Sequence, residues 1–333
     1  MSATRSLHLS AEIGGPAHYD ADHYVTLARL AERGTLDFVT LSDTFARPGP
    51  DALAVLSRVA PATERIGLVP TVTTTHTEPF HVSAAVATLD WVSRGRAGWA
   101  VDVSSTEAEA RLFGRRPAAH DAELWHEARE VADVAVKLWD SWEDDAEIRD
   151  SSTGRFIDRD KLHYVDFEGR TFSVRGPSIV PRPPQGHPVT VIDATADAAR
   201  AAAVRRADVA LVRTGDQAVA RAAREEIRDR ARAHGRDPDR VRVLAALPVE
   251  LHTTADAVDL AGLIGDWYEQ GSVDGLHLLP GDVERDLAYV VDGTVPLLQH
   301  RGLLRRFYPG ATLREHLGFA RPANQYARAG DLS

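Results

Sequence analysis

DFVTLS at residues 37–42 and IGLVPTV at residues 66–72 decide the fold. Both runs are apolar without regard to odd or even position, so each must be buried on two faces, as strands are in a parallel sheet covered by helices. Between them, Ala52 to Ala60 reads as the crossover helix that parallel strands require. The same βα unit repeats in both directions. Leu7 to Ile13 reads as the first strand, followed by a helix over Asp20 to Arg33 in which Tyr24, Leu27, Ala28 and Ala31 share a face and Gly34 is the stop. Downstream, a helix over Phe80 to Val92 leads to a strand at Arg96 to Val103 and a fourth helix over Asp121 to Trp142.

Residues Glu143 to Pro184 then break the alternation. The stretch is polar, holds Gly and Pro, and lacks a helical period, so it reads as an insertion that acts as a lid over a site. Leu162 to Phe167 and Arg170 to Val174 flank Glu168-Gly169 as a small hairpin. Strands resume at Pro188 to Asp193, Asp208 to Val212, Val241 to Leu251 and Gly275 to Leu279, with helices over Ala196 to Arg206, Gln217 to His234, Ala255 to Gln270 and Glu284 to Leu303. Eight strands and eight helices favour an α/β fold of the closed (β/α)8 TIM-barrel type, one domain over residues 1–333 with an insertion before the fifth strand and a tail from 304. No GxGxxG follows the first strand, as an open dinucleotide-binding sheet would suggest.

Composition narrows the function. The 333 residues are 44% hydrophobic and 26% charged, which excludes disordered, collagenous and coiled-coil chains. A formal net charge of -10 and the lack of any basic stripe argue against nucleic acid as a partner. Lys137 and Lys161 are the only lysines, so the cations are almost all Arg, a compositional habit without specific meaning. With Cys 0, disulfides, thiolate nucleophiles and Cys-ligated metals are excluded, and any chemistry must use oxygen, nitrogen or a cofactor. No charged-then-apolar leader or membrane-length apolar run is present, so the expectation is a cytoplasmic protein without a membrane partner.

Barrel sites lie where strands run into their following loops. That rule selects Gly14 and Gly15, Ser42 and Asp43, Thr73 to His76, Asp102 to Ser105, Asp193 to Thr195, Arg213 and Thr214, Glu250 and His252, and Pro280 and Gly281. Asp43, His76, Asp193 and His252 are available there as metal ligands, but no carboxylate pair has ligand spacing and no His-x-His ends the first strand, so no metal is expected. Of His18, His23, His76, His81, His120 and His126, His76 stands out, at a strand end in a Thr-rich loop where an acid or base is useful. Among the tryptophans, which at helical spacing are mostly core, Trp99 and Trp125 are the exceptions.

Several stretches together resemble the flavin-dependent monooxygenases of the bacterial luciferase-like superfamily, in the branch of nitrilotriacetate and dibenzothiophene sulfone monooxygenases. They are Leu30–Asp43 (LAERGTLDFVTLSD), Thr63–Phe80 (TERIGLVPTVTTTHTEPF), Leu89–Trp99 (LDWVSRGRAGW), Leu138–Asp145 (LWDSWEDD), Phe172–Gln185 (FSVRGPSIVPRPPQ) and Gly310–Gly318 (GATLREHLG). The resemblance implies a homodimeric TIM barrel that takes reduced FMN from a separate NAD(P)H:flavin reductase. Oxygen adds at flavin C4a, and the resulting (hydro)peroxide oxygenates a small organic substrate in a water-poor pocket.

Carried over by position, Asp43 falls where the family sets an acid against the flavin ring, and Thr71 or Thr73 at its strand-three threonine. Thr73 and His76 are then the catalytic candidates, and Ser104, His120, Trp125 and Thr195 join Asp43, Thr71 and Thr73 as cofactor-binding candidates. Three motifs depart from the pattern. Gly98-Trp99-Ala100 replaces Gly-Trp-Asn, His120 and Trp125 replace His-x-x-x-Tyr with longer spacing, and Asp193-Ala194-Thr195-Ala196 replaces the phosphate-binding Ala-Gly-Ala-Ser. Two alternatives stand beside the FMNH2-dependent oxygenase: a non-catalytic or partner subunit of such an oxygenase, and an enzyme working on or with a dephosphorylated flavin such as riboflavin.

Overall fold

The computed structural model describes residues 6–15 and 18–327. Eight parallel strands close into a barrel: β1 (His8–Glu12), β2 (Phe38–Leu41), β3 (Gly67–Thr73), β4 (Gly98–Asp102) and, after four short strands outside the barrel, β9 (Val189–Asp193), β10 (Val209–Arg213), β11 (Arg242–Val249) and β12 (Gly275–Pro280). Chain order is kept around the ring, which shuts where β1 meets β12 in the register His8↔Gly275 to Ala11↔Leu278. The helices on the outside are α1 (Ala21–Arg33), α2 (Ala52–Val59), α3 (Pro79–Val92), α4 (Glu107–Phe113), α5 (Asp121–Asp140), α6 (Asp197–Arg206), α7 (Gln217–Ala233), α8 (Thr254–Glu269) and α9 (Val283–Tyr289). A π-helical turn at Val290–Thr294 joins α9 to α10 (Val295–His300), so the last helix expected from sequence is continuous but bulged. The seven-residue α4, not anticipated from its polar sequence, is fixed by a capping box of Thr106 and Glu109 and by Gly114 in the left-handed conformation.

Period-two alternation sets the barrel interior. Phe38, Val69, Val189, Val191, Val209, Leu211, Leu244 and Ala246 point inward, whereas Leu9, Val39, Leu68, Leu276 and Leu278 face the helices. The N-terminal end of the barrel is stoppered by α11 (Leu313–His316), whose Leu313, with Leu317 and Phe319, joins the inner cluster. Arg305 on Asp37 at 2.8 Å and Arg314 on Asp208 at 3.1 Å tie the tail to strand starts. With that end sealed, the C-terminal mouth is the entrance to the barrel.

The insertion lies elsewhere than expected. Glu143 to Pro184 joins the end of α5 to the start of β9, so both attachment points are at the stoppered end, and the segment is not a lid over the mouth. It folds as two hairpins, β5 (Glu147–Asp150) with β6 (Arg155–Ile157) and β7 (Phe167–Glu168) with β8 (Ser173–Val174). Phe167 and Val174 pack on Val134 and Leu138 of α5, Trp91 Nε1 of α3 donates to the Pro181 carbonyl, and buried Arg182 pairs with Asp140 and Asp144. No helix among the described residues is long and apolar enough to cross a membrane.

Candidate functional site

The inward positions of the strand ends form the mouth. Glu12, Thr71, Asp102, Asp193 and Arg213 occupy them on β1, β3, β4, β9 and β10, by the same alternation that aims Val69, Ala100, Val191 and Leu211 into the core below. Two adjoining cavities open here, of about 490 and 220 Å³, and they share Asp43 and Thr44. The larger is walled by Glu12, Gly14, Ser42 and Tyr24, the smaller by Phe45, Thr71, Thr73 and His81.

The structure brings together three of the residues selected from sequence. Asp43, Thr71 and Thr73 line one cavity wall. Asp43 also accepts the Ala52 N–H at 2.9 Å, so it secures the start of α2 beside the cap made by Asp51. His76 follows in the tight turn after β3, with a φ of 67° that L-residues adopt only under constraint. It is 8% exposed, and neither ring nitrogen has a hydrogen-bond partner. Its ring stacks on Phe113 at 4.8 Å, and Phe113 meets Phe45 edge-on at 4.7 Å, which links His76 to the cavity wall. Burial, reinforced by the Arg116 guanidinium, holds its pKa below the ordinary histidine value, so the ring is neutral at physiological pH. An unpaired buried polar group in a strained backbone costs free energy, and such features concentrate at ligand sites.

The remaining candidates separate from that group. Ser104 is buried after β4 and its N–H donates to Thr75 Oγ1 at 3.1 Å. His120 is exposed at the start of α5 and makes no side-chain cap. Trp125 is 9% exposed and packs in the cluster that includes Trp99, Ala128 and Ala199. Neither His120 nor Trp125 lines the two cavities. Thr195 sits after β9, and its hydroxyl donates to Asp193 Oδ1 at 2.6 Å while accepting the Arg213 N–H at 2.8 Å.

A buried polar chain lies beneath the mouth. Glu12 accepts from Gly14 N–H, Ser42 N–H and the Thr40 hydroxyl at 2.9, 2.8 and 2.5 Å. Thr40 is also 3.2 Å from His277 Nε2, and Ser10 is 2.9 Å from His277 Nδ1. Burial raises the Glu12 pKa against its hydrogen bonds, and it pushes His277 down to about 3, so His277 is neutral. A Cβ at Gly14 would press on the Glu12 carboxylate and displace it from these bonds. The alternation HLSAE carried the signal for Ser10 and Glu12 as inward polar positions. Among the described residues no group of three or more His, Cys, Asp or Glu is placed to hold a metal ion.

Comparison with known proteins gives a concordant result. The family model described as luciferase-like monooxygenase matches residues 4–294. N-acetyl-S-(2-succino)cysteine monooxygenase of Bacillus subtilis (strain 168) is 28% identical over 409 aligned positions that cover 94% of this chain and 93% of that protein. Nitrilotriacetate monooxygenase component A of Aminobacter aminovorans is 30% identical, with 93% and 92% covered. The crystal structure of a long-chain alkane monooxygenase superposes with a TM-score of 0.87 at 23% identity, covering 95% of this chain and 96% of that one.

Proposed function

The chain belongs to the luciferase-like monooxygenase family, and on that premise we propose that it oxygenates a small organic molecule with a reduced flavin supplied by a separate NAD(P)H:flavin reductase. The observation that carries the proposal is the pair of joined cavities at the open end of the barrel, which share Asp43, with Thr71 and Thr73 on the wall of the smaller one and an unpartnered, neutral His76 behind Phe113 and Phe45. Bound reduced flavin would supply the two electrons that activate oxygen.

The residues have separable tasks. Asp43 is an acceptor for ring N–H groups, and its bond to Ala52 holds the carboxylate in place. Thr71 and Thr73 present hydroxyls that serve as donor or acceptor to ring carbonyls or to the oxygen being transferred. His76, uncharged and without a partner, is free to accept a proton from one oxygen atom and return it to another. Phe45 and Phe113 cover this side and limit the access of water. Anaerobic titration with reduced flavin, followed by a coupled assay in which a flavin reductase and NADH support oxygen uptake dependent on this chain, tests the proposal. Saturable binding at one flavin per chain is expected, and absence of binding would overturn it.

A further inference from the structure

On the flavin reading above, the phosphate of FMN would also have to be seated at the mouth. A dianion is normally met by free N–H groups at a helix N-terminus or by unpaired cations. Among the described residues, six of the nine helices α1 to α9 have their N-terminal N–H groups capped by a side chain. Asp20, Asp51, Asp216 and Asp282 cap α1, α2, α7 and α9, and Thr106 with Glu109 and Thr253 with Asp256 form capping boxes on α4 and α8. The starts of α3, α5 and α6 lack a side-chain cap, but Glu78 stands at the first, Asp121 and Glu123 at the second and Asp197 at the third.

The loop from β9 into α6 is the most explicit. Asp193 accepts from Thr195 N–H, the Thr195 hydroxyl and Arg213 Nε at 3.0, 2.6 and 2.5 Å, so the hydroxyl and the cation that would greet an anion are both engaged. Arg200 is engaged by the carbonyls of Ala194 and Thr195, each at 3.0 Å, and by Glu226. Asp102 on β4 faces Asp193 closely enough that, after desolvation, Asp193 is the leading charge that raises its pKa. Among the described residues Arg47 is the one cation lining the larger cavity, and it lies on an exposed loop.

We infer that this mouth selects a flavin without a phosphate, the isoalloxazine with its ribityl chain, over flavin mononucleotide. The inference rests on the flavin reading above and narrows it to a ligand without the phosphate dianion. The carboxylates on the rim repel that dianion and act equally on the ring of either flavin, so the preference is electrostatic and salt must weaken it.

The test is anaerobic titration of the full chain with reduced riboflavin and reduced FMN over a series of salt concentrations. Riboflavin is expected to bind at least tenfold tighter at low salt, with the gap closing as salt rises. Asp193→Asn, which leaves Arg213 uncompensated, should tighten FMN several-fold, and Arg213→Gln should weaken it, with riboflavin within twofold of wild type in both. Circular dichroism confirms that the variants fold, and the wild-type comparison stands without them. FMN binding as tightly as riboflavin, or both flavins shifting alike in both variants, overturns the inference while leaving the flavin reading intact. Binding of neither flavin overturns both. FMN preference abolished by Arg47→Gln would locate the phosphate on the β2–α2 loop and refute the inference as well.

Discussion

Cutting His76 back to glycine separates a ligand-binding histidine from a packing one. The substitution removes a side chain from a φ of 67°, where an L-residue is disfavoured by about 1 kcal/mol and glycine is at ease. It also removes two buried ring nitrogens that have no partner, relieving about 1–3 kcal/mol of desolvation. Against this stand the lost stack on Phe113, about 0.5–1.5 kcal/mol, and the added freedom of glycine in the unfolded chain, about 0.5–1 kcal/mol. Some packing of the ring is lost as well, so His76→Gly should lie within about 1 kcal/mol of wild type, whereas truncating a well-packed aromatic costs about 3–5 kcal/mol. Urea unfolding followed by tryptophan fluorescence measures this. Oxygenase turnover, if His76 moves the proton, should fall by about 100-fold or more. A loss of 3 kcal/mol or more in stability with turnover unchanged would refute the assignment.

Asp43→Ala should cost about 1 kcal/mol in thermal stability, through the acceptor lost at α2, and weaken reduced flavin binding by about 1–3 kcal/mol in anaerobic titration. Leu313→Ala should lower stability by about 2–5 kcal/mol in urea unfolding, because the side chain is 0% exposed and stoppers the barrel, without altering the mouth. His277 has a folded pKa of about 3, far below the unfolded value, so between about pH 6.5 and 3 the unfolded state binds more protons. Its contribution is constant above that window, and stability should be lost by about 1.4 kcal/mol per unit as pH falls through it, seen as the difference between wild type and His277→Gln in pH-dependent unfolding. Proteolysis within Glu143 to Pro184 should proceed at the same rate with and without flavin, because the segment packs on α3 and α5 away from the mouth.

The repeating unit was legible because two-face burial leaves the same mark on every parallel strand, and DFVTLS, PVTVID and DVALV all carry it. Rim residues followed from strand order, which is how Asp43, Thr73 and His76 were found before their contacts were known. Composition misled at Glu143 to Pro184, since polarity and length suggest a covering loop. Connectivity holds the better clue, because a segment running from helix to strand must start and finish at the closed end of a barrel. Glu12 and His277 were hidden for a different reason. In a barrel the inward face is mostly apolar, so the HLSAE alternation marks Glu12 only weakly, and His277 is recognised once Thr40 and Ser10 from neighbouring strands are seen to contact it. The pairing of Asp193 with Arg213 likewise spans two strands. Sequence shows two charges at two strand ends, and only the closed barrel sets them side by side.

The most direct measurement is rapid mixing of oxygen with the protein loaded anaerobically with one equivalent of reduced flavin, with wild type beside His76→Gly. Saturable loading is expected in both proteins, and reoxidation coupled to oxygenated product in wild type, with product formation lost in the variant. Flavin that reoxidises at its free-solution rate in the presence of wild-type protein, with no saturable binding, would contradict the proposed function.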